Sequence, residues 1–282
     1  MKKNIILIPV YNDWKSLNKL LLEINKIANK IFTMEILIIN DCSTQKIFID
    51  RDRLNKIKVI KVLSLNQNLG SQKSICVGLN YLKKNNDSFY VTVMDGDGED
   101  CPFEINRMLE AAHKNPDFII TSNRTGRNES FLIQFCYRIH LVICFLLTRH
   151  WISFGNFSCF NSSNLKKISL NDIWYAYSSG MLKNCKIKKL YATRQKRYFD
   201  SSKVNFLKLV EHSLRVVGVF YNRIIISSLL VFLAIVFFST GLNILFYSII
   251  LFVNLSILFV RKKHKPLKEI DYIYYIKDLN TI

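Results

Sequence analysis

Four carboxylates fall within six residues at Asp95-Gly96-Asp97-Gly98-Glu99-Asp100. Like charges at this spacing repel one another, and a bound cation is the simplest way to offset the repulsion. Hard cations such as Mg²⁺ and Mn²⁺ take carboxylate oxygens and leave positions for water and substrate phosphates. Gly96 and Gly98 allow the backbone to turn tightly beside such an ion. The run lacks the longer ligand series of an EF-hand loop. A solvated acidic turn is the alternative reading.

Three further groups have chemistry to offer. Asp41, in Asn40-Asp41-Cys42-Ser43-Thr44, is a carboxylate that can accept the imide or amino hydrogen of a nucleobase, or simply cap a helix. Tyr11, in Pro9-Val10-Tyr11-Asn12-Asp13, can set its ring against a base. Asn68-Leu69-Gly70-Ser71-Gln72-Lys73 opens a helix with Gly and Lys, a combination suited to phosphate. It is not a Walker loop, because the G-x-x-x-x-G-K-[ST] pattern is missing.

Each group follows an apolar run. Residues 4–10 predict a buried strand, and 14–30 a helix with Leu17, Leu20, Leu21, Ile24 and Ile27 on one face and Asp13 as its cap. Strands are expected at 34–40, 58–65, 89–95 and 117–122, and helices at 71–85 and 102–115. This alternation predicts an α/β fold with a mostly parallel sheet flanked by helices on both faces. Such sheets bind ligands outside the C-terminal ends of their strands, where these groups lie.

The chain has 282 residues, 40 Lys and Arg against 21 Asp and Glu, a net charge of +19, and 50% hydrophobic residues. Its mean hydropathy of +0.13 excludes a disordered chain, and its length excludes a small disulfide scaffold. The seven cysteines form no CxxC pair and read as free thiols in a reducing cytosol. Lys2-Lys3 precede only a short apolar run without a cleavage site, so no signal peptide is expected.

The apolar excess is concentrated. From Ile224 to Val260 there is no charged residue or His, and one membrane span needs about 20 apolar residues. Two transmembrane helices are expected, near 222–240 and 243–260, turning at Ser239–Asn243. Residues 204–221 predict a juxtamembrane amphipathic helix, with Leu207, Val210, Leu214 and Val217 on one stripe. Residues 131–147 predict a helix lying in the membrane interface, with an ordinary core helix as the alternative for both. The division is then a catalytic domain at 1–203, the juxtamembrane helix, the two spans within 222–260, and a basic cytoplasmic tail at 261–282. Arg215, Arg223 and the run from Arg261 to Lys268 flank the hairpin and place that side in the cytoplasm. The remaining positive charge is dispersed, which suits an anionic membrane surface better than nucleic acid.

Taken together, Pro9-Val10-Tyr11-Asn12-Asp13, Asn40-Asp41-x-Ser43, Asn68-x-Gly70 and Asp95-x-Asp97 resemble the family 2 glycosyltransferases of the GT-A fold. With the C-terminal hairpin, the chain looks like the branch containing dolichyl-phosphate mannose synthase and bactoprenol glucosyltransferases. A bacterial subgroup shares stretches like Phe154-Gly155-Asn156-Phe157 and Ser202-Lys203-Val204-Asn205-Phe206. The resemblance covers residues 3–260 and rests on the order and spacing of the motifs.

It implies a membrane-bound, inverting enzyme that moves a sugar from a UDP- or GDP-sugar to a lipid acceptor, with polyprenyl phosphate favoured. Cell-envelope polysaccharide synthesis at the cytoplasmic membrane is the implied setting, with self-association left open. Pro9, Tyr11 and Asp13 would line the nucleotide pocket and Asp41 would pair with uracil or guanine. Asn68, Gly70, Gln72 and Lys73 would complete the donor site. Asp95 and Asp97 would hold sugar, ribose and Mg²⁺ or Mn²⁺, with Glu99 as a third metal ligand. Arg124 and Arg127 would grip phosphate during catalysis, and Arg197 and Lys203 would join them around the acceptor phosphate.

Some positions depart from the pattern. Asn40 replaces the usual first Asp and Cys42 a common Gly. Gln195-Lys196-Arg197-Tyr198 is one residue short of the Q-x-x-R-W motif of processive synthases and lacks its Trp. No Asp or His after residue 120 stands out as a general base, which favours an acceptor that is already anionic. Asp172, Asp200, Glu211 and His212 are the candidates if a base is used. The competing readings are a glycosyltransferase acting on a glycolipid hydroxyl, a nucleotidyltransferase and a degenerate membrane-bound scaffold. The first loop lacks the Gly and Arg expected of a nucleotidyltransferase, and the intact Asp95-x-Asp97 opposes a scaffold.

Overall fold

The computed structural model describes residues 2–28, 31–125, 131–193, 195–199, 206–238, 244–265 and 272–282. It begins β1 (Lys2–Val10), α1 (Trp14–Ile27), β2 (Phe32–Asn40), β3 (Val59–Leu65), α2 (Ser71–Lys83), β4 (Tyr90–Val93), α3 (Glu104–Lys114) and β5 (Phe118–Thr125). There follow α4 (Phe131–Thr148), β6 (Ser158–Asn161), α5 (Ser162–Lys167), α6 (Leu170–Tyr175), α7 (Tyr177–Asn184) and β7 (Lys186–Thr193). The chain ends with α8 (Phe206–Gly218), α9 (Tyr221–Phe238), α10 (Ile244–Lys263) and β8 (Ile276–Thr281).

These elements form two compact units. The first, residues 1–128, 154–202 and 268–282, holds an eight-stranded sheet in the order β7-β5-β6-β4-β1-β2-β3-β8. The centre, β4-β1-β2-β3, is parallel, as expected. β6 and β8 run antiparallel to their neighbours.

Strand alternation explains the packing. Every residue from Asn4 to Val10 is buried, because helices cover both faces of β1. Ile5 and Leu7 point into one core with α2, Trp174 and Tyr177. Ile6 and Ile8 point into the other with α1 and α3.

The second unit, residues 129–153 and 203–267, holds α4 and α8 to α10. This differs from the contiguous division expected at residue 203. α4 is mostly apolar in sequence and packs with α8 and α9, so it belongs with them rather than with the sheet. The expected basic tail, 261–282, also contributes a strand. Its last residues form β8, because β3 would otherwise leave a row of unpaired backbone groups at the sheet edge.

Among the described residues, α10 alone is long and apolar enough by itself to cross a membrane. α9 meets that standard only together with α8, from which it is bent by 85°. α9 and α10 touch each other, and Asn254 Nδ2 donates to Ser228 Oγ between them at 2.9 Å. The expected turn at 239–243 lies outside the described residues.

Candidate functional site

β2 and β3 lie on one side of β1 and β4 on the other, so the strand order reverses between β1 and β4. A crevice is expected outside the C-terminal ends of those two strands. A cleft of about 240 Å³ lies there, lined by Pro9, Val10, Tyr11, Asp13, Ser71, Asp95, Gly96, Asp97 and Arg197. The motifs after β1 and β4 are thereby brought together. Asp13 serves twice, since its carboxylate also accepts from Ser16 N at 3.2 Å and caps α1.

The acidic loop after β4 is held by its own backbone and by residues far away in sequence. Asp100 is buried, and its Oδ2 accepts from Asp95 N at 3.0 Å. Asp97 Oδ1 accepts from Glu99 N at 3.0 Å. Gly98 takes φ +88°, and a Cβ there would collide with the ring of Tyr198, so this glycine is required. Asn156 Nδ2 donates to Asp95 Oδ1 at 3.0 Å. Burial, then the charge of Asp95, pushes the Asp97 carboxyl above its usual range, against the Glu99 N–H and Arg197.

Arg197 was expected at an acceptor phosphate, and Glu99 as a third metal ligand. The structure pairs them with each other. Arg197 reaches Asp97 Oδ2 at 2.8 Å and Glu99 Oε1 at 3.2 Å. The segment is pinned by Gln195 N donating to Glu99 O and Tyr198 N donating to Asp97 O, both at 3.0 Å. Tyr198 Oη donates to Glu23 Oε2 of α1 at 2.5 Å. Burial opposes the Arg197 charge, but Asp97, Glu99 and Asp95 outweigh it and raise its pKa.

Asp41 is almost sealed from solvent. Its two oxygens accept from Leu69 N at 2.7 Å and Gly70 N at 2.8 Å. Burial raises its pKa against these bonds and the Ser74 hydroxyl. It therefore fixes the 66–70 loop, with its oxygens engaged by the two backbone N–H groups and the Ser74 hydroxyl. Gly70 turns with φ +83° into α2, where Ser71 reaches the cleft. Asn68, Gly70, Gln72, Lys73 and Asp41 are not among the residues lining it. Lys73 Nζ instead lies 4.8 Å from the Trp174 ring centroid. Asn40 donates through Nδ2 to Ser64 Oγ at 3.4 Å and accepts from Ser43 N at 3.0 Å; an Asp could keep both contacts only by accepting from the Ser64 hydroxyl.

Arg124 is the second-last residue of β5, outside the residues whose side chains are described, and Arg127 and Lys203 lie outside the described residues altogether. Sequence reasoning gave no role to Asn156, although its motif stood out. It also missed Ser71 as a cleft residue and Asn66 as an anchor of the loop after β3.

Among the described residues, no group of three or more His, Cys, Asp or Glu is placed to hold a metal. Asp95 and Asp97 still suit one. Both are hard oxygen donors on the same cleft, and their mutual repulsion is what a divalent cation relieves. Mg²⁺ is commonly held by one or two carboxylates, with substrate phosphates and water completing the shell.

The sequence model of the family described as Glycosyl transferase family 2 matches residues 5–174. An undecaprenyl-phosphate 4-deoxy-4-formamido-L-arabinose transferase of Photorhabdus laumondii is 32% identical over 135 residues, 46% of this chain and 39% of that protein. An uncharacterized glycosyltransferase of Synechocystis sp. is 28% identical over 134 residues, 46% of this chain and 40% of its own length. The chain thus aligns with well under half the length of these relatives. The solved structure of glucosyl-3-phosphoglycerate synthase from Mycobacterium tuberculosis, in complex with Mn²⁺, UDP-glucose and phosphoglyceric acid, superimposes with a TM-score of 0.54. That match has 10% identity and covers 79% of this chain and 80% of the other, so it speaks for the fold alone.

Proposed function

The chain belongs to glycosyl transferase family 2, and from that premise we propose that it moves a sugar from a nucleotide-sugar donor to a membrane lipid acceptor, polyprenyl phosphate. The observation that carries the reading is the convergence of Pro9, Tyr11 and Asp13 with Asp95 and Asp97 on one cleft at the strand-order reversal. Tyr11 is half exposed there and free to lie against a base. Asp41 orders the loop that leads to the Ser71 wall, and Asp95 and Asp97 face the sugar and diphosphate.

Asp95 and Asp97 would hold Mg²⁺ or Mn²⁺, which when bound supplies positive charge to the leaving diphosphate. Each Asp97 oxygen accepts one bond, from Glu99 N or from Arg197, and keeps a further lone pair for a metal. Arg197 lines the same cleft, where its guanidinium would also reach a phosphate. Arg124 and Arg127, with Lys203, are proposed as further phosphate contacts. Direct displacement at the anomeric carbon puts negative charge on the leaving group, and these cations stabilise it as it forms.

A phosphate acceptor needs no general base. Asp172, one of the candidates for that role, is tied to Lys183 Nζ at 2.9 Å and Asn184 Nδ2 at 3.2 Å. The named activity of the Photorhabdus relative, on undecaprenyl phosphate, agrees with this acceptor. The apolar helices α9 and α10 would seat the protein in the cytoplasmic membrane, with Arg223 and Arg261-Lys262-Lys263 on the cytoplasmic side.

The test is to incubate membranes carrying the protein with labelled UDP- and GDP-sugars and to extract the lipid. Label in a phosphate-linked lipid, lost with Asp97→Ala, is the expected result. Absence of transfer from every common donor, with Asp97→Ala indistinguishable from wild type in cells, would overturn the reading.

A further inference from the structure

Residues 268–282 return to the unit that holds the sheet after the chain has passed through residues 203–267. Just before β8, a 3-10 turn at Tyr272–Tyr275 meets the loop that follows β3. Asn66 N donates to Tyr275 O at 2.9 Å, and Asn66 Nδ2 donates to Tyr274 O at 2.5 Å. The Tyr272 and Tyr275 side chains are buried, with ring centroids 5.1 Å and 5.3 Å from that of Trp174. Tyr272 Oη donates to Asn171 Oδ1 at 3.2 Å, which fixes its ring. Trp174 in turn holds Lys73 Nζ over its face.

The 66–70 loop is therefore held from two directions. Asp41 grips its far end at Leu69 and Gly70, and the returning tail grips its near end at Asn66. Trp174 extends the second grip to the first turn of α2. Gly70 has no side chain and sits in the left-handed region, so without external contacts this stretch has a wide choice of conformations. Asp41 alone fixes one end of it.

We propose that the Tyr272–Tyr275 turn is a clamp on this loop, and that Tyr272, Tyr275 and Trp174 are positioning residues for the donor. They set the loop from Asn66 to Gly70 that leads into Ser71 on one wall of the cleft, and hold Lys73 against Trp174 at the start of α2. What the loop binds rests on the proposed function; that the tail sets its conformation does not. The binding competence of the sheet unit thus depends on residues that follow the apolar helices in sequence.

The test uses the full chain in detergent, compared with the Tyr272→Ala/Tyr275→Ala double variant. Amide hydrogen exchange in peptides covering 66–73 is expected to rise about tenfold or more, with β1, β2 and α3 unchanged. The dissociation constant for UDP or GDP with Mn²⁺ should rise several-fold in parallel. Asn66→Ala, which keeps the tyrosine packing, should show the same pattern at smaller amplitude, and it serves if the double variant does not fold. Trp174→Phe should restore most of what Trp174→Ala loses. Exchange that rises throughout the sheet, or not at all in 66–73, overturns the clamp. Looser 66–73 with unchanged nucleotide affinity also overturns it as a donor-positioning device. If the loop loosens but the wild type binds neither nucleotide, the clamp stands and the donor reading falls.

Discussion

The two compact units contain similar apolar side chains and place them oppositely. In the sheet unit, Ile6, Leu7, Ile8 and Leu37 are closed between strands and helices. In the helical unit, Phe237 is 81% exposed, Phe252 72% and Leu245 70%. The charges differ as well. Those at the cleft are tied together, with Arg197 against Asp97 and Glu99 and Asn156 on Asp95, whereas α9 and α10 carry charge only near one end of each. A soluble domain does not expose so large an apolar surface without a partner. One composition therefore yields two surfaces: the sheet unit closes its apolar residues away from water, and the helices leave theirs open, as the proposed seat in lipid requires.

The largest effect that would break this contrast is a pair of lysine substitutions. Ile8→Lys places a charge between the sheet and α1 and should prevent folding, at a cost above about 4 kcal/mol. Phe252→Lys should leave the sheet unit folded and able to bind nucleotide. It should instead weaken membrane association, by about 3 kcal/mol if the residue sits near the bilayer centre. Flotation of vesicles with the bound protein reads the second outcome. Unchanged flotation together with better solubility would mean that α10 faces something other than lipid.

Next in size is Asp97→Ala. Loss of the carboxylate proposed to face the diphosphate should lower single-turnover transfer by about 10³-fold. Flotation should not change, because Asp97 lies in the sheet unit. Asn156→Ala is expected to be milder. It removes a bond to a part-buried carboxylate, worth about 1.5–3 kcal/mol, so donor affinity should fall by roughly ten- to a hundredfold. Titration of Mn²⁺ and UDP measures it.

The contrast also marks what could be read in advance. β1 and β2 were legible as short, nearly continuous apolar runs, and α1 by apolar residues at helical period. β6 and β7 were not. Ser158–Asn161 offers only four residues, and Lys186–Thr193 puts lysines where an apolar alternation would have to show. β8 was hidden for another reason: its residues are mostly exposed and polar, and only the unpaired edge of β3 makes them a strand. At the site, Pro9 to Asp13, Asp95 and Asp97 could be placed, because a parallel sheet puts post-strand residues at one rim. The partner of Arg197 could not, since it lies about a hundred residues away and no local pattern encodes it. The same holds for Asn156 and for the clamp at Asn66.

The smallest effect separates two accounts of the acidic loop: a charged site waiting for a cation, or a closed set of ion pairs. Burial first and the charge of Asp95 second hold the Asp97 carboxyl above its usual range. A raised acid pKa means that the folded chain keeps this proton more tightly than the unfolded one. The contribution of Asp97 to stability is then fully present below the ordinary carboxylate pKa and is lost as pH rises through the raised folded value. At neutral pH the ionised group is a net burden. Asp97→Asn removes that burden and leaves Arg197 paired with Glu99. Without metal at pH 7 the variant should melt higher, by roughly 2–4 °C if the burden is about 1 kcal/mol. The difference should close as the buffer is taken below about pH 4. Mn²⁺ should raise the melting temperature of the wild type and leave the variant where it was. A variant that melts lower at pH 7 would mean that the Arg197 bridge outweighs the repulsion, and the loop would then be a closed ion-pair set with no call for a cation.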